Sequence, residues 1–311
     1  MSFSCSFFLN GTLKLATPHL CPFSAKSISK KRLRFSSNAT SLELPLLPFN
    51  TNEVLVPSES KILHLYEARY LALLEESLLR KKLFVHVVLD PISISESAAE
   101  ASFAARYGCL VLIENLERLD VGALVTIRGV GRVKIISFVQ ADPYLKGEVM
   151  PMQDRNLYSS SDMNSKVLAV KEAVYSLNNL EMKLKANNRY FMFFPQKMFD
   201  DYYYPLVAYY YAPKEAVLQT RILNSLLWAD KEPSLDCEEA FIPSLPERVS
   251  FAAFQPVSGA TQSESLKLQR EKVTAMDLRD TKRRLNHSLQ FLNDNISLVA
   301  AKLAIQSLEI Q

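Results

Sequence analysis

The chain has 311 residues, 48% of them hydrophobic and 22% charged, with a formal net charge of +3. This is globular composition, long enough for one large domain or two small ones. No run approaches the roughly 18 apolar residues that a membrane span needs.

Residues 1–41 stand apart. They hold nine Ser, six Lys or Arg and no acid, the first acidic residue being Glu43. Removing those six charges from the net +3 leaves −3 over residues 42–311, so the basic balance belongs to the leader and not to a nucleic-acid face. A Ser-rich, basic, acid-free leader is expected to be a disordered organelle transit peptide. No Arg precedes Arg32, which points to the plastid stroma, with the mitochondrion as the alternative. Cys5 and Cys21 lie in this leader. Cys109 and Cys237, far apart in sequence, make neither a zinc site nor a disulfide framework.

The first element, Leu44 to Phe49, alternates apolar residues with Pro45 and Pro48 and predicts an extended piece at a sheet edge. Val54 to Val56 reads as a short strand ending at the turn Pro57-Ser58, and Ile62, Leu63 and Leu65 restart a strand. Tyr70 to Lys82 predicts a helix with Leu71, Leu74 and Leu78 on its apolar face. Phe84 to Leu89 predicts the strand that leaves it. Residues 90–106, rich in Ser and Ala, predict a loop with one helical turn. Cys109 to Ile113 is a strand, and residues 114–122 are polar and turn-like. Val125 to Ile135 alternates around Gly129 and Gly131, predicting a bent strand or hairpin with glycine at a bulge or turn. Five of the seven glycines fall between Gly108 and Gly147, which concentrates strand-and-turn structure there.

Beyond residue 157 the pattern is helical. Ser161 to Ala186 carries Val167, Val170, Val174, Leu177, Leu180 and Leu184 at 3–4 spacing, with Asp162 available as a cap. Tyr190 to Tyr211 packs eleven aromatics into 22 residues. Phe191, Phe193, Phe194, Tyr202, Tyr203 and Tyr204 in this run are candidate anchors for apolar peptide, against core packing as the plainer reading. Pro213 is placed to start a helix carrying Leu218, Ile222 and Leu226, and Pro246 another. Residues 255–265 read as a linker. Leu285, Leu289, Leu292, Ile296, Val299 and Leu303 then form a heptad stripe on a helix beginning near Ser265. The stripe predicts either a homodimer through residues 265–305 or a helix docked on its own domain.

The chemistry that can be sought is mostly absent. No glycine is followed by lysine, so no phosphate-cradling Walker loop exists. His64, His86 and His287 are singletons at no metal-ligand spacing. Gly129 and Gly131 lack the third glycine and following helix of a dinucleotide loop. Glu67 and Arg69 stand at a strand-to-helix junction where they can pair or cap. No cofactor and no metal is expected.

The runs 44–48, 54–57 and 63–70, LPLLP, VLVP and LHLYEARY, resemble the opening of the Lon protease N-terminal, substrate-binding domain. Gly108, Glu114, Leu119, Gly122, Gly129 and Arg132, followed by residues 143–149, resemble its second half. Ser58, Tyr66 and Ala68 depart from the family's usual Gly, Phe and Pro. Pro48, Pro57, Glu67, Arg69, Tyr70, Gly108, Gly122, Gly129 and Arg132 are read as structural positions of this motif. The resemblance implies an α+β fold: a small closed sheet of the PUA-like type, a pseudo-barrel, followed by a helical subdomain and a long C-terminal helix. The expected divisions are a leader at 1–41, the β-domain at 42–157, a helical subdomain at 158–256, and a linker with C-terminal helix at 257–311. The implied function is non-enzymatic recognition of unfolded or degradation-marked polypeptides, as a stand-alone adaptor with a protease or chaperone as partner. Residues after about 154 leave no room for a separate peptidase domain. RNA binding, which PUA-like folds also perform, is the alternative, and the −3 balance of residues 42–311 opposes it.

Overall fold

In a computed structural model the described residues are 3–4, 41–92, 102–154, 160–192, 219–231 and 237–309. They divide into two compact units. Met1–Pro57, Lys61–Gln153 and Leu235–Pro243 form a β unit, and Ser58–Ser60, Asp154–Ser234 and Ser244–Gln311 form a helical unit.

The β unit holds β1 (Phe3–Ser4), β2 (Leu42–Phe49), β3 (Ser60–Leu65, from Lys61 on), α1 (Ala68–Leu79), β4 (Leu83–Ile92), β5 (Ser102–Arg118), β6 (Ala123–Gln140) and β7 (Leu145–Pro151). Hydrogen bonding runs β1-β3-β6-β5-β4-β2-β7, and β6 also pairs with β7. The sheet therefore closes into a ring of β6, β5, β4, β2 and β7, with β3 attached outside it at β6. This is the pseudo-barrel that the resemblance implies.

Long alternating strands build the ring, and extra residues bend them. Opposite β5, β6 carries Val130 as an unmatched residue between the partners of Leu110 and Val111; opposite β7 it carries Ile136 and Val139. Such bulges tighten strand twist, which a small closed sheet needs. Leu46, Leu47, Val56, Val85, Leu110, Val111, Val125, Ile127 and Val149 fill the interior with no or almost no exposure.

Several expectations need correction. β2 is an edge only by halves, not along its whole length. Its first half, Leu42–Leu46, pairs with β7, and its second, Leu46–Phe49, pairs with β4. Each half is bonded on one side only, which leaves a side for the N–H groups that Pro45 and Pro48 lack. Val54 to Val56 is not a strand: it is buried irregular chain after a 3-10 turn at Thr51–Glu53. The loop expected over 90–106 is strand at both its ends, because Leu89–Ile92 pairs with Ser102–Ala105; residues 93–101 lie outside the described ones. Helix α1 ends at Leu79, and Lys81 and Lys82 take left-handed φ of 58° and 62° to turn the chain into β4. Its buried face is Tyr70, Leu73, Leu74 and Ser77, so Leu71 and Leu78 sit at the margin of the face and not at its centre.

The helical unit holds α2 (Ser160–Met192), α3 (Arg221–Asp230), α4 (Leu245–Ala252), α5 (Gln262–Asp277) and α6 (Thr281–Glu309). Val167, Val170, Val174, Leu177 and Leu184 of α2 pack with Ile222, Leu226, Val249, Leu285, Leu292 and Val299 in one core. Leu289, Ile296 and Leu303 pack against its margin. The heptad stripe of α6 is thus spent inside its own unit. The expected single C-terminal helix is two. Thr261 opens α5 with a reciprocal capping box to Glu264. Leu278 is extended, and the Asp280 carboxylate accepts the Arg283 N–H at 3.0 Å to restart the chain as α6. Thr220, not Pro213, caps α3, its side chain accepting from the Leu223 N–H; residues 213–218 lie outside the described ones.

One polar cluster lies inside this unit. Arg284, with 0% exposure, donates to Asp154, to Ser250 Oγ at 2.7 Å and to the Leu278 carbonyl at 2.5 Å. Glu247 Oε1 lies 3.8 Å away, and the guanidinium sits 4.2 Å over the Phe251 ring. Thr281 also donates to Asp154, at 2.6 Å. A second buried ion pair joins Lys272 and Glu59 at 2.6 Å.

Candidate functional site

The motif residues read from the sequence fall at junctions of the β unit. Pro48 lies in β2 opposite Val87, and Pro57 follows the buried stretch Val54–Val56. The Glu67 carbonyl accepts the Tyr70 and Leu71 N–H groups that open α1. The Glu67 carboxylate, instead of capping, takes Arg69 at 2.7–2.8 Å, and the Arg69 guanidinium lies 4.7 Å over the buried Tyr70 ring. Gly129 is where the backbone of residue 56 touches β6: a Cβ there would stand 2.3 Å from the Val56 carbonyl oxygen. Gly122 has φ +84°, and a Cβ would stand 2.3 Å from the Leu65 carbonyl oxygen. Gly108 faces Val133 across the β5–β6 pair. Arg132 is buried, and its carbonyl accepts the Met152 N–H at 2.9 Å. These positions bring chain segments together. Their contacts are with the protein's own backbone and side chains.

Of the aromatic candidates, Phe191 lies at the end of α2, without a described side chain. Phe193, Phe194, Tyr202, Tyr203 and Tyr204 lie outside the described residues.

A surface that the sequence reading missed is built by β3 and the β5–β6 turn. Leu63 and Leu65 are buried; Ile62, between Lys61 and Leu63, is 51% exposed. The turn carries Val121 at 70% and Leu119 at 38% exposure. It is held to β3 by His64 Nε2, 3.2 Å from the Val121 carbonyl, and by the close approach of Gly122 to Leu65. The Tyr66 ring lies 5.5 Å from that of His64. Exposed Ile62, Leu119 and Val121 beside this ring pair form an apolar surface where water meets an ordered strand. The period-two pattern of β3 signals one outward face, but the reach of Val121 depends on the fold of residues distant in sequence.

Charge is arranged elsewhere on the unit. Glu76 of α1 accepts Arg80 at 2.7 Å and Lys146 at 2.8 Å, and Lys146 also reaches Glu43 at 3.1 Å. The Glu76 carboxylate raises the pKa of Lys146 above the usual lysine range, with Glu43 adding to it against burial. In the helical unit a cavity of about 300 Å³ is lined by Pro256, Val257, Leu268 and Phe291 together with Lys267 and Asn295. Among the described residues no cluster of His, Cys, Asp or Glu could hold a metal, and no helix is long and apolar enough to cross a membrane. Cys109 and Cys237 form no disulfide, and the Cys109 thiol donates to the Leu110 carbonyl at 3.5 Å.

The β unit is thus a small closed sheet with β3 and β1 outside its ring and exposed apolar side chains on β3 and on the turn beside it. The sequence model of the ATP-dependent protease La (LON) substrate-binding domain matches residues 43–209, more than half of the chain, and the chain belongs to that family. Among solved structures, the N-terminal domain of Mycobacterium avium complex Lon protease aligns at 11% identity with a TM-score of 0.43, over 81% of this chain and 99% of that one. The Lon N-terminal domain protein from Xanthomonas campestris aligns at 17% identity with a TM-score of 0.36, over 79% and 95%. No curated protein matches the sequence. The family assignment rests on the sequence match.

Proposed function

We propose that this chain is a non-enzymatic polypeptide-binding module that recognises unfolded or degradation-marked proteins and presents them to a separate protease or chaperone, in the plastid stroma. The match of residues 43–209 to the Lon substrate-binding domain carries this reading. The exposed apolar surface of Ile62, Leu119 and Val121 supports it, since apolar segments are what unfolding exposes. The acid-free, Ser-rich leader supports the plastid address.

The test is fluorescence anisotropy of the purified full chain with labelled α-lactalbumin, compared in its reduced, carboxymethylated, unfolded form and its native form. Binding to the unfolded form alone is expected, without ATP and without cleavage. Equal or absent binding to both forms, or degradation of the probe, would overturn the proposal. Import and shortening of the radiolabelled precursor by isolated chloroplasts tests the address; import by mitochondria alone would refute it.

A further inference from the structure

We infer that the outer edge of β3 is a strand-addition site for extended apolar polypeptide, and that residues 3–4 occupy part of it in the precursor, before the leader is removed. This names the mode of binding for the reading above and rests on it.

On its inner side β3 pairs with β6. On its outer side, among the described strands, it pairs with β1 alone. That pairing is parallel, Phe3 opposite Leu63 and Ser4 opposite His64. The edge therefore already accepts an extended segment from outside the barrel. The segment spans two residues, whereas β3 spans six, Ser60–Leu65. A longer guest would run further along the strand.

Side chains suit the same guest. Residues of an added strand alternate between faces, and those on the outward face stand beside their neighbours at about 4.5–5.5 Å. On β3 the outward neighbours are Ile62 and His64, with Val121 and Tyr66 at the end of the strand. Apolar residues at alternate guest positions would cover Ile62 and Val121. Backbone pairing itself is indifferent to sequence, and a folded protein has already spent its backbone groups internally. Recognition at a strand edge thus separates unfolded from folded chains.

Two of the other open edges are blunted. The β4-facing side of Leu42–Pro45 carries a proline, and Arg80 donates to the Glu43 carbonyl at 2.7 Å. The projecting end of β4 carries Pro91. Proline and charged caps are the devices that close an edge to strangers, and β3 has no proline. The β5 end of the projecting arm, Ser102–Tyr107, is the competing edge.

The experiment uses the full chain and unfolded, carboxymethylated α-lactalbumin as probe. Phe3→Pro/Ser4→Pro removes both N–H groups of the resident segment and leaves the barrel untouched. It is expected to tighten probe binding about fivefold, by freeing a site otherwise partly filled. Ile62→Lys/Val121→Lys, at two exposed positions, is expected to weaken it roughly tenfold, with circular dichroism and thermal midpoint unchanged. Hydrogen–deuterium exchange should slow at residues 61–65 when probe is added. Equal affinity of all three proteins for the probe, or protection at 102–107 in place of 61–65, leaves polypeptide binding standing and overturns this site. Absence of binding to any of the three rejects the polypeptide-binding reading and the site with it.

Discussion

Replacing Arg284 by Met should be the most damaging single change in the helical unit. The side chain is fully buried, and its guanidinium faces two carboxylates, Asp154 and Glu247, whose side chains are 2% and 3% exposed. Asp154 also holds Thr281, and Arg284 also holds Ser250 and the carbonyl at the α5–α6 break. Methionine fills most of the volume but leaves both acids without their cation. Removing one partner of a buried pair costs about 3–5 kcal/mol. For a unit of this size each kcal/mol moves the midpoint by about 2–4 °C, so the transition should fall by roughly 6–20 °C. Scanning calorimetry of the full chain, with urea titration by circular dichroism, reads the loss. Adding Asp154→Asn and Glu247→Gln to Arg284→Met should recover more than half of it, because neither acid of the cluster then carries a charge that has lost its cation. A loss under about 1 kcal/mol, the worth of a surface pair, would refute the reasoning, as would a triple variant no better than the single.

Other perturbations have equally definite outcomes. Gly129→Ala must push a Cβ into the Val56 carbonyl and should cost the barrel about 1–3 kcal/mol, read by urea titration; a neutral result would mean that residue 56 moves freely. Lys282 holds the Asp162 carboxyl below its usual range; for Glu264 burial acts upward, but Lys302 and the Thr261 N–H outweigh it and lower the pKa. Groups lowered on folding stabilise above the ordinary carboxylate pKa of about 4 and lose that contribution as pH falls through the folded value. The thermal midpoint should therefore drop on acidification below about pH 4, less steeply in Glu264→Gln. Lys146 has the opposite sign: its raised pKa stabilises below about pH 10.4 and is lost as pH rises through the folded value. Lys146→Met should flatten the alkaline limb of a midpoint-against-pH curve.

Local pattern carried much of this fold. The valines and leucines of α2 lie in the core as their 3–4 spacing predicts, because a helix that must cover a bundle shows one apolar face. Gly129 and Gly131 flank the Val130 bulge that their interruption of alternation predicts. What failed was set by partners distant in sequence. Pro45 and Pro48 signal a missing donor, but not that β2 changes neighbour at Leu46 and so tolerates both. The Ser- and Ala-rich stretch after Asp90 looks like loop, yet pairing between Leu89–Ile92 and Ser102–Ala105 extends the strands into it. The α5–α6 break was hidden because the heptad stripe begins only at Leu285, after the restart at Asp280.

The binding surface was less legible for the same reason. Alternation in Ser60–Leu65 tells that Ile62 and His64 share a face, but not whether another element covers it. That is decided by β6. Its residues Ala123–Val133 pair with β5, and from Val133 to Gln140 it pairs with β7. The unmatched residues Val130, Ile136 and Val139 bend it enough to complete both pairings within one strand. The ring then closes through β7 and has no place for β3, which keeps only β6 on its inner side. An edge able to receive a foreign strand is thus a consequence of how sharply β6 turns. Straightening β6 by deleting Val139, which is 55% exposed and has no partner opposite it in β7, would loosen β7 from the ring and alter the edge together; a deletion variant with unchanged exchange at both 61–65 and 145–151 would break that link.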